Sequence, residues 1–193
     1  MKKYELTSET KIVFGHILYR IKALSSFGCV SAGDLGGFLE SEKNLSQNGN
    51  AWVFGNAEVY GNAEVYGNAW VYGDARVYGD AWVYGDARVY GNAWVYGDAW
   101  VYGNAEVYGN AEVSKIGSIF WIGAVGSRND TATFFRCTDG VIRVTCGCFF
   151  GNLDEFAKKV RKTHGDNDHA KVYMLAIDMA KIRISTEKEK TEE

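Results

Sequence analysis

The chain has 193 residues, 47% of them hydrophobic and 15% aromatic, with no proline and a net charge of −3. That composition excludes a disordered polymer, and no apolar run approaches the ~20 residues that a membrane span needs. Residues 1–48 carry six basic and five acidic groups, residues 49–114 two and eight, and residues 115–193 thirteen and eleven, so the acidic middle argues against a nucleic-acid backbone lying along it.

The opening MKKYELTSETK has a basic pair but no apolar stretch after it, so no signal peptide is expected. Four cysteines without an export signal read as reduced thiols in a cytoplasmic protein. Residues 4–24 alternate weakly and predict short strands. The stretch GDLGGFLESEKNLSQNGNAWVF, residues 33–54, runs without a break into a repeat. Residues 1–48 are therefore assigned to an N-terminal β cap.

From residue 49 glycine recurs at every sixth position to residue 109, eleven copies of Gly-Asn/Asp-Ala-x-Val-Tyr with Phe54 in place of the first tyrosine. A period of six over residues 49–114 is the signature of a parallel β-helix. Alanine and valine are two apart, so they point the same way from a strand. Being constant and small, they are the inward set. Glycine and Asn/Asp form the corner. The expected unit is a four-residue strand and a two-residue corner, and three units close one coil. Eleven units make nearly four coils, a prism roughly 18 Å tall at ~4.8 Å per coil.

The fourth letter varies, which an outward position tolerates. With residues 18 apart stacked, one face reads Trp52, Trp70, Arg88, Glu106. The next reads Glu58, Arg76, Trp94, Glu112, and the third Glu64, Trp82, Trp100. Trp on Trp, Trp on Arg and Arg on Glu are each favourable neighbours, worth about 0.2–1 kcal/mol. Asp80 and Asp98 share a corner column and repel mildly. The tyrosines beside the variable letter admit two readings: a stacked ladder that only stabilises the coil, or an oligomer or partner interface. The least charged face, with Trp82, Trp100, Tyr84 and Tyr102, is the expected homo-oligomer contact.

After Val113 the repeat stops. SIFWIGAVG, TATFFRCTDG and VIRVTCGCFFG predict three strands, with turns at 127–130 and 139–140. Residues 152–165 predict a helix capped by Asn152 and ended by Gly165, and a second helix runs from about Asp168 to Ile182. Residues 115–185 thus form an α+β module (βββαα), followed by a charged tail, 186–193, expected to be disordered.

Two chemistries suggest themselves here. Gly126-Ser127-Arg128-Asn129-Asp130 is a polar loop whose amides, Ser127, Arg128 and Asn129 could hold an anion, helped by Arg136 and Arg143. Lys158, Lys159, Arg161 and Lys162 follow on the helix. The competing reading is a plain hairpin turn. Cys146 and Cys148, placed on one face of a strand, could bind zinc with His164 and His169. The spacing matches no standard zinc module, and buried thiols are favoured, so no metal is expected.

The repeat is similar to the hexapeptide repeat of left-handed β-helix proteins, and the left hand is what that resemblance implies. LYRIKAL at 18–24, GDLGGF at 33–38 and NLSQNGNAWV at 44–53 further resemble a phage and prophage family of hexapeptide-repeat proteins, some labelled as transferases or polymer-forming proteins. GSRND, CGCF and THGDN resemble a small module attached to phage repeat proteins. Hexapeptide acyltransferases use coenzyme A or nucleotide sugars and need a histidine base near a cleft. Here His16, His164 and His169 all lie outside the repeats, and no loop interrupts them. The expectation is a non-enzymatic, oligomeric, phage-encoded binding protein without a cofactor. It would counter host defence by binding a host protein or a small anionic nucleotide. A coenzyme A-dependent acyltransferase and a structural scaffold are the alternatives.

Overall fold

The computed structural model describes residues 2–184; the charged tail expected to be disordered lies outside them. Strands β1 (Tyr4–Val13) and β2 (His16–Ala23) form one antiparallel hairpin, longer than the short strands expected. It turns at Phe14 and Gly15, both at positive φ. Strand β3 (Leu35–Leu39) pairs antiparallel with β2 on one edge and parallel with the repeat on the other, Leu39 lying beside Val59.

Strands β4 to β14 are the variable residue and the valine of each copy, from Trp52–Val53 to Glu112–Val113. The regular strand is thus two residues long, not four, because the backbone turns through three corners in eighteen residues. The stacking columns are those expected: Trp52, Trp70, Arg88 and Glu106 pair in parallel, as do Glu58, Arg76, Trp94 and Glu112, and Glu64, Trp82 and Trp100. Every alanine and valine from Ala51 to Val113 is fully buried. A typical unit donates to the coil below three times: Trp70 N to Ala87 O, Tyr72 N to Val89 O and Asp74 N to Gly91 O, at 2.9–3.0 Å.

At the corners glycine is required on two counts. Gly79 sits at φ +72°, and a Cβ there would lie 2.9 Å from the Gly97 nitrogen. Asparagine amides continue the ladder, Asn62 donating to Asp80 and Asn68 to Asp86 at 3.0 Å, so Asp80 meets an amide donor on one side and Asp98 on the other. The tyrosines form three stacks, 60–78–96, 66–84–102 and 72–90–108, with centroids 4.6–5.0 Å apart. That spacing is the strand spacing itself.

The β-helix starts before its recognisable repeat. Leu39 stands over Val59 and Leu45 over Val65, each 20 residues on rather than 18, so the first turn carries two extra residues. Gly37 is needed there because a Cβ would meet the Ala57 carbonyl at 2.5 Å. Above this turn Tyr4 and Phe27 cover Trp52, edge to face at 6.0 and 5.4 Å, which buries a residue expected to face outward. The buried Lys3 amine donates to Ala51 O at 2.9 Å, and burial lowers its pKa to about 8.

The other end is closed by an antiparallel sheet of four strands: β15 (Ile119–Val125), β16 (Asp130–Arg136), β17 (Ile142–Cys146) and β18 (Phe149–Asn152). The third expected strand is two, because Gly147 at φ +56° folds 142–152 into a hairpin. Period-two alternation then divides the sheet's faces. Ile119, Trp121, Phe135 and Cys137 join the core of the β-helix, while Phe120, Ile122, Phe134 and Val144 pack on two helices. These are α1 (Leu153–His164) and α2 (Asp168–Arg183). Asn152 caps α1 in a capping box with Glu155, Gly165 ends it, and Asn167 caps α2.

Candidate functional site

The turn between β15 and β16, the turn between β17 and β18, and α1 converge on α2. Gly126 starts the first turn at φ +70°, and the Tyr173 hydroxyl lies where a Cβ would go. Gly147 starts the second, with the Asp130 carboxylate 3.2 Å from its missing Cβ. Between them opens a pocket of about 290 Å³. Its buried side is aromatic and apolar, built by Phe156, Val160 and Tyr173. Phe156 meets Tyr173 edge to face at 5.3 Å. The exposed Arg128 and Lys159 lie on its solvent side, with His164 half-buried beside them. One carboxylate, Asp130, opposes these two cations.

Two groups of expected site residues meet here that the sequence kept apart. Ser127 and Arg128 line the pocket together with Cys146, Cys148 and His164. His169 stands next to His164, ring centroids 5.6 Å apart. The cysteines, expected on one strand face, flank a turn instead: Cys146 ends β17 and Cys148 is exposed at the tip. Among the described residues no three His, Cys, Asp or Glu side chains come together as a metal-ligand set. Cys146 Sγ lies 3.6 Å from the Tyr173 hydroxyl. Burial pushes the Cys146 thiol up, with Asp130 and Cys148 adding to it and Tyr173 and Arg128 opposing. A thiol held protonated is a poor nucleophile. Burial likewise pushes the Tyr173 hydroxyl up.

Arg136 and Arg143 do not belong to this group. They sit at the opposite end of β16 and β17 from the Ser127–Asn129 turn. Arg136 is buried with Glu112 at 3.6 Å and the Ser114 hydroxyl at 3.5 Å. Arg143 forms a two-pronged pair with Asp139 at 2.7 and 2.9 Å. Asn129 faces a separate, polar hollow with Asp86 and Glu106. Of the helix cations only Lys159 reaches the pocket. Sequence reading missed Tyr173 and Phe156; their signal is the i, i+4 apolar stripe Phe156–Val160 on α1 and an aromatic residue facing inward on α2.

The expected oligomer face is laid out as the columns require. Trp82 and Trp100 stack at 5.4 Å, 8° from parallel, and each is more than a third exposed. Tyr84 stacks on Tyr102 at 4.9 Å. Trp121 closes over Tyr102 edge-on at 4.4 Å. A groove of about 630 Å³ separates Trp100 and Tyr102 from Met179 and Arg183 of α2. The mixed face is different: the β1–β2 hairpin extends its sheet, and Glu58 is buried between Lys11 and Arg76 at 2.8 Å.

Fold and repeat together define a β-solenoid repeat protein closed at both ends. Residues 57–73, 71–85, 81–97 and 87–103 match the model of the YdcK beta solenoid repeat. No curated protein matches the chain.

Proposed function

We propose that this is a non-catalytic binding protein whose C-terminal pocket takes a small anionic ligand of nucleotide size, carried on a rigid β-solenoid. The supporting observation is one pocket that places two cations from different elements, Arg128 and Lys159, beside an aromatic wall of Phe149, Phe156 and Tyr173. Cationic donors suit phosphate, and aromatic rings suit a base. A volume of about 290 Å³ is at the small end for ligand sites, which favours a mononucleotide over coenzyme A. The protonated Cys146 thiol offers little to covalent catalysis. Resemblance to phage and prophage repeat proteins supplies the setting: a phage-encoded, oligomeric protein that withholds a nucleotide signal from, or binds a protein of, the host's defence.

The test is calorimetric titration with nucleoside mono- and diphosphates and with inorganic phosphate. Saturable nucleotide binding is expected, weakened at least tenfold by Arg128→Ala with Lys159→Ala and weakened by salt. Both residues are exposed, so the fold should be unaffected. Binding that ignores the double substitution would remove the pocket from consideration. Turnover of acetyl-coenzyme A would replace this reading with acyl transfer.

A further inference from the structure

Helix α2 has two apolar faces. Ala170, Tyr173, Ala176, Ile177 and Ala180 are buried on the sheet. Val172, Leu175, Met179 and Ile182 are exposed on the other side, by 39, 64, 51 and 87%. Their spacing of three, four and three residues is the a/d seam of a coiled coil. A helix that is only packed against its own sheet needs one stripe.

We infer that a second copy of this chain docks on this seam, α2 against α2 in parallel about a two-fold axis. Several features select that occupant. A branched residue at the first seam position and leucine at the next, as in Val172 and Leu175, favours two strands. The seam also continues into the groove where Met179 and Arg183 face Trp100 and Tyr102, and onward to the stacked Trp82.

Charge sets the direction. With Val172 and Met179 at a and Leu175 and Ile182 at d, the residue before an a position faces, in a parallel pair, the partner's residue five further on. Asp178 of each copy then meets Arg183 of the other, and the pairing occurs twice. An antiparallel pair centred on the stripe would set Asp178 against Asp178. Within one chain Arg183 makes no ion pair among the described residues, and Asp178 has only a loose contact with Lys181 at 3.8 Å. Two heptads are too short to associate as free peptides. Here each helix is already ordered on its sheet, so that cost is met before docking.

Light scattering on the full chain tests the inference. The monomer mass is 21.4 kDa, and about twice that is expected. Leu175→Asp with Met179→Asp should return the mass to the monomer value. Asp178→Arg should weaken the dimer at least tenfold, and Asp178→Arg with Arg183→Asp should restore it. The charge pair is exposed and remains informative if the apolar variant fails to fold. A wild-type monomer would overturn the inference, as would a charge swap without rescue. So would a dimer lost instead on Phe14→Asp at the exposed hairpin tip, which points to a different contact. Nucleotide titration of the same variants is independent of the outcome, since the pocket lies on the other side of Tyr173.

Discussion

In the eleven hexads of the β-solenoid the inward Ala and Val contacts recur every eighteen residues, whereas the core contacts of the C-terminal module have no such period. Val71, Val77 and Val83 have the same surroundings, so none can acquire chemistry of its own without breaking the stack. Phe134 and Phe135 are neighbours in sequence yet belong to different cores. The pocket forms where repetition ends, at two turns and a helix whose residues occur once. Stability in the repeat is accordingly a sum over coils; in the module it depends on single anchors.

Substitution at the join should have the largest effect. Phe135→Ala removes a fully buried ring lying against Tyr108 and Phe150, at a cost of about 3–5 kcal/mol. Hydrogen exchange should rise in both the last coil and the module. Phe134→Ala should cost a similar amount but raise exchange only in the sheet and helices. If both variants loosen both regions, the two cores are one. Next is Gly79→Ala, which strains one corner by about 1–3 kcal/mol; chemical denaturation should register that loss while nucleotide titration is unaltered. The remaining effect is at the opposite end and is read only through pH. Lys3 has its folded pKa lowered to about 8 against 10.5. The unfolded chain therefore binds more protons between those values, and stability should rise with pH across that window. Lys3→Met should remove that rise, measured as the difference between the two pH profiles below pH 10, before tyrosine ionisation dominates.

The repeat was legible because one letter pattern is written eleven times, and a column period of eighteen follows from it. The two helices were legible from Asn152, Gly165 and their spacing. The first turn was not: Leu39 and Leu45 do the work of valine with a two-residue insertion, which breaks the period that reveals the others. The fourth strand of the module was hidden because Gly147 looks like one residue of a strand until the chain folds back there. At the candidate site the Ser127–Asn129 turn and the Cys146–Cys148 segment were read as separate possibilities. Their meeting depends on Tyr173 seated against Gly126, a contact 47 residues apart in sequence. Arg136 and Arg143 were grouped with the turn for their charge, but strand direction carries them to the far end of the sheet.

Three hexads to a coil also make the β-helix a rotary spacer. Each hexad advances the backbone by one face, so the C-terminal module faces a direction set by the number of copies counted in threes. Loss or gain of three hexads, eighteen residues, would shorten or lengthen the rod and leave the hairpin and the module in their present angular relation. Loss of one would swing the module by a third of a turn, carrying α2 and its groove away from the Trp82–Trp100 column and onto a face with arginine in it. Sequences of near-identical repeats change length easily, and here only one length change in three preserves the surface that the aromatic column and the helix build together.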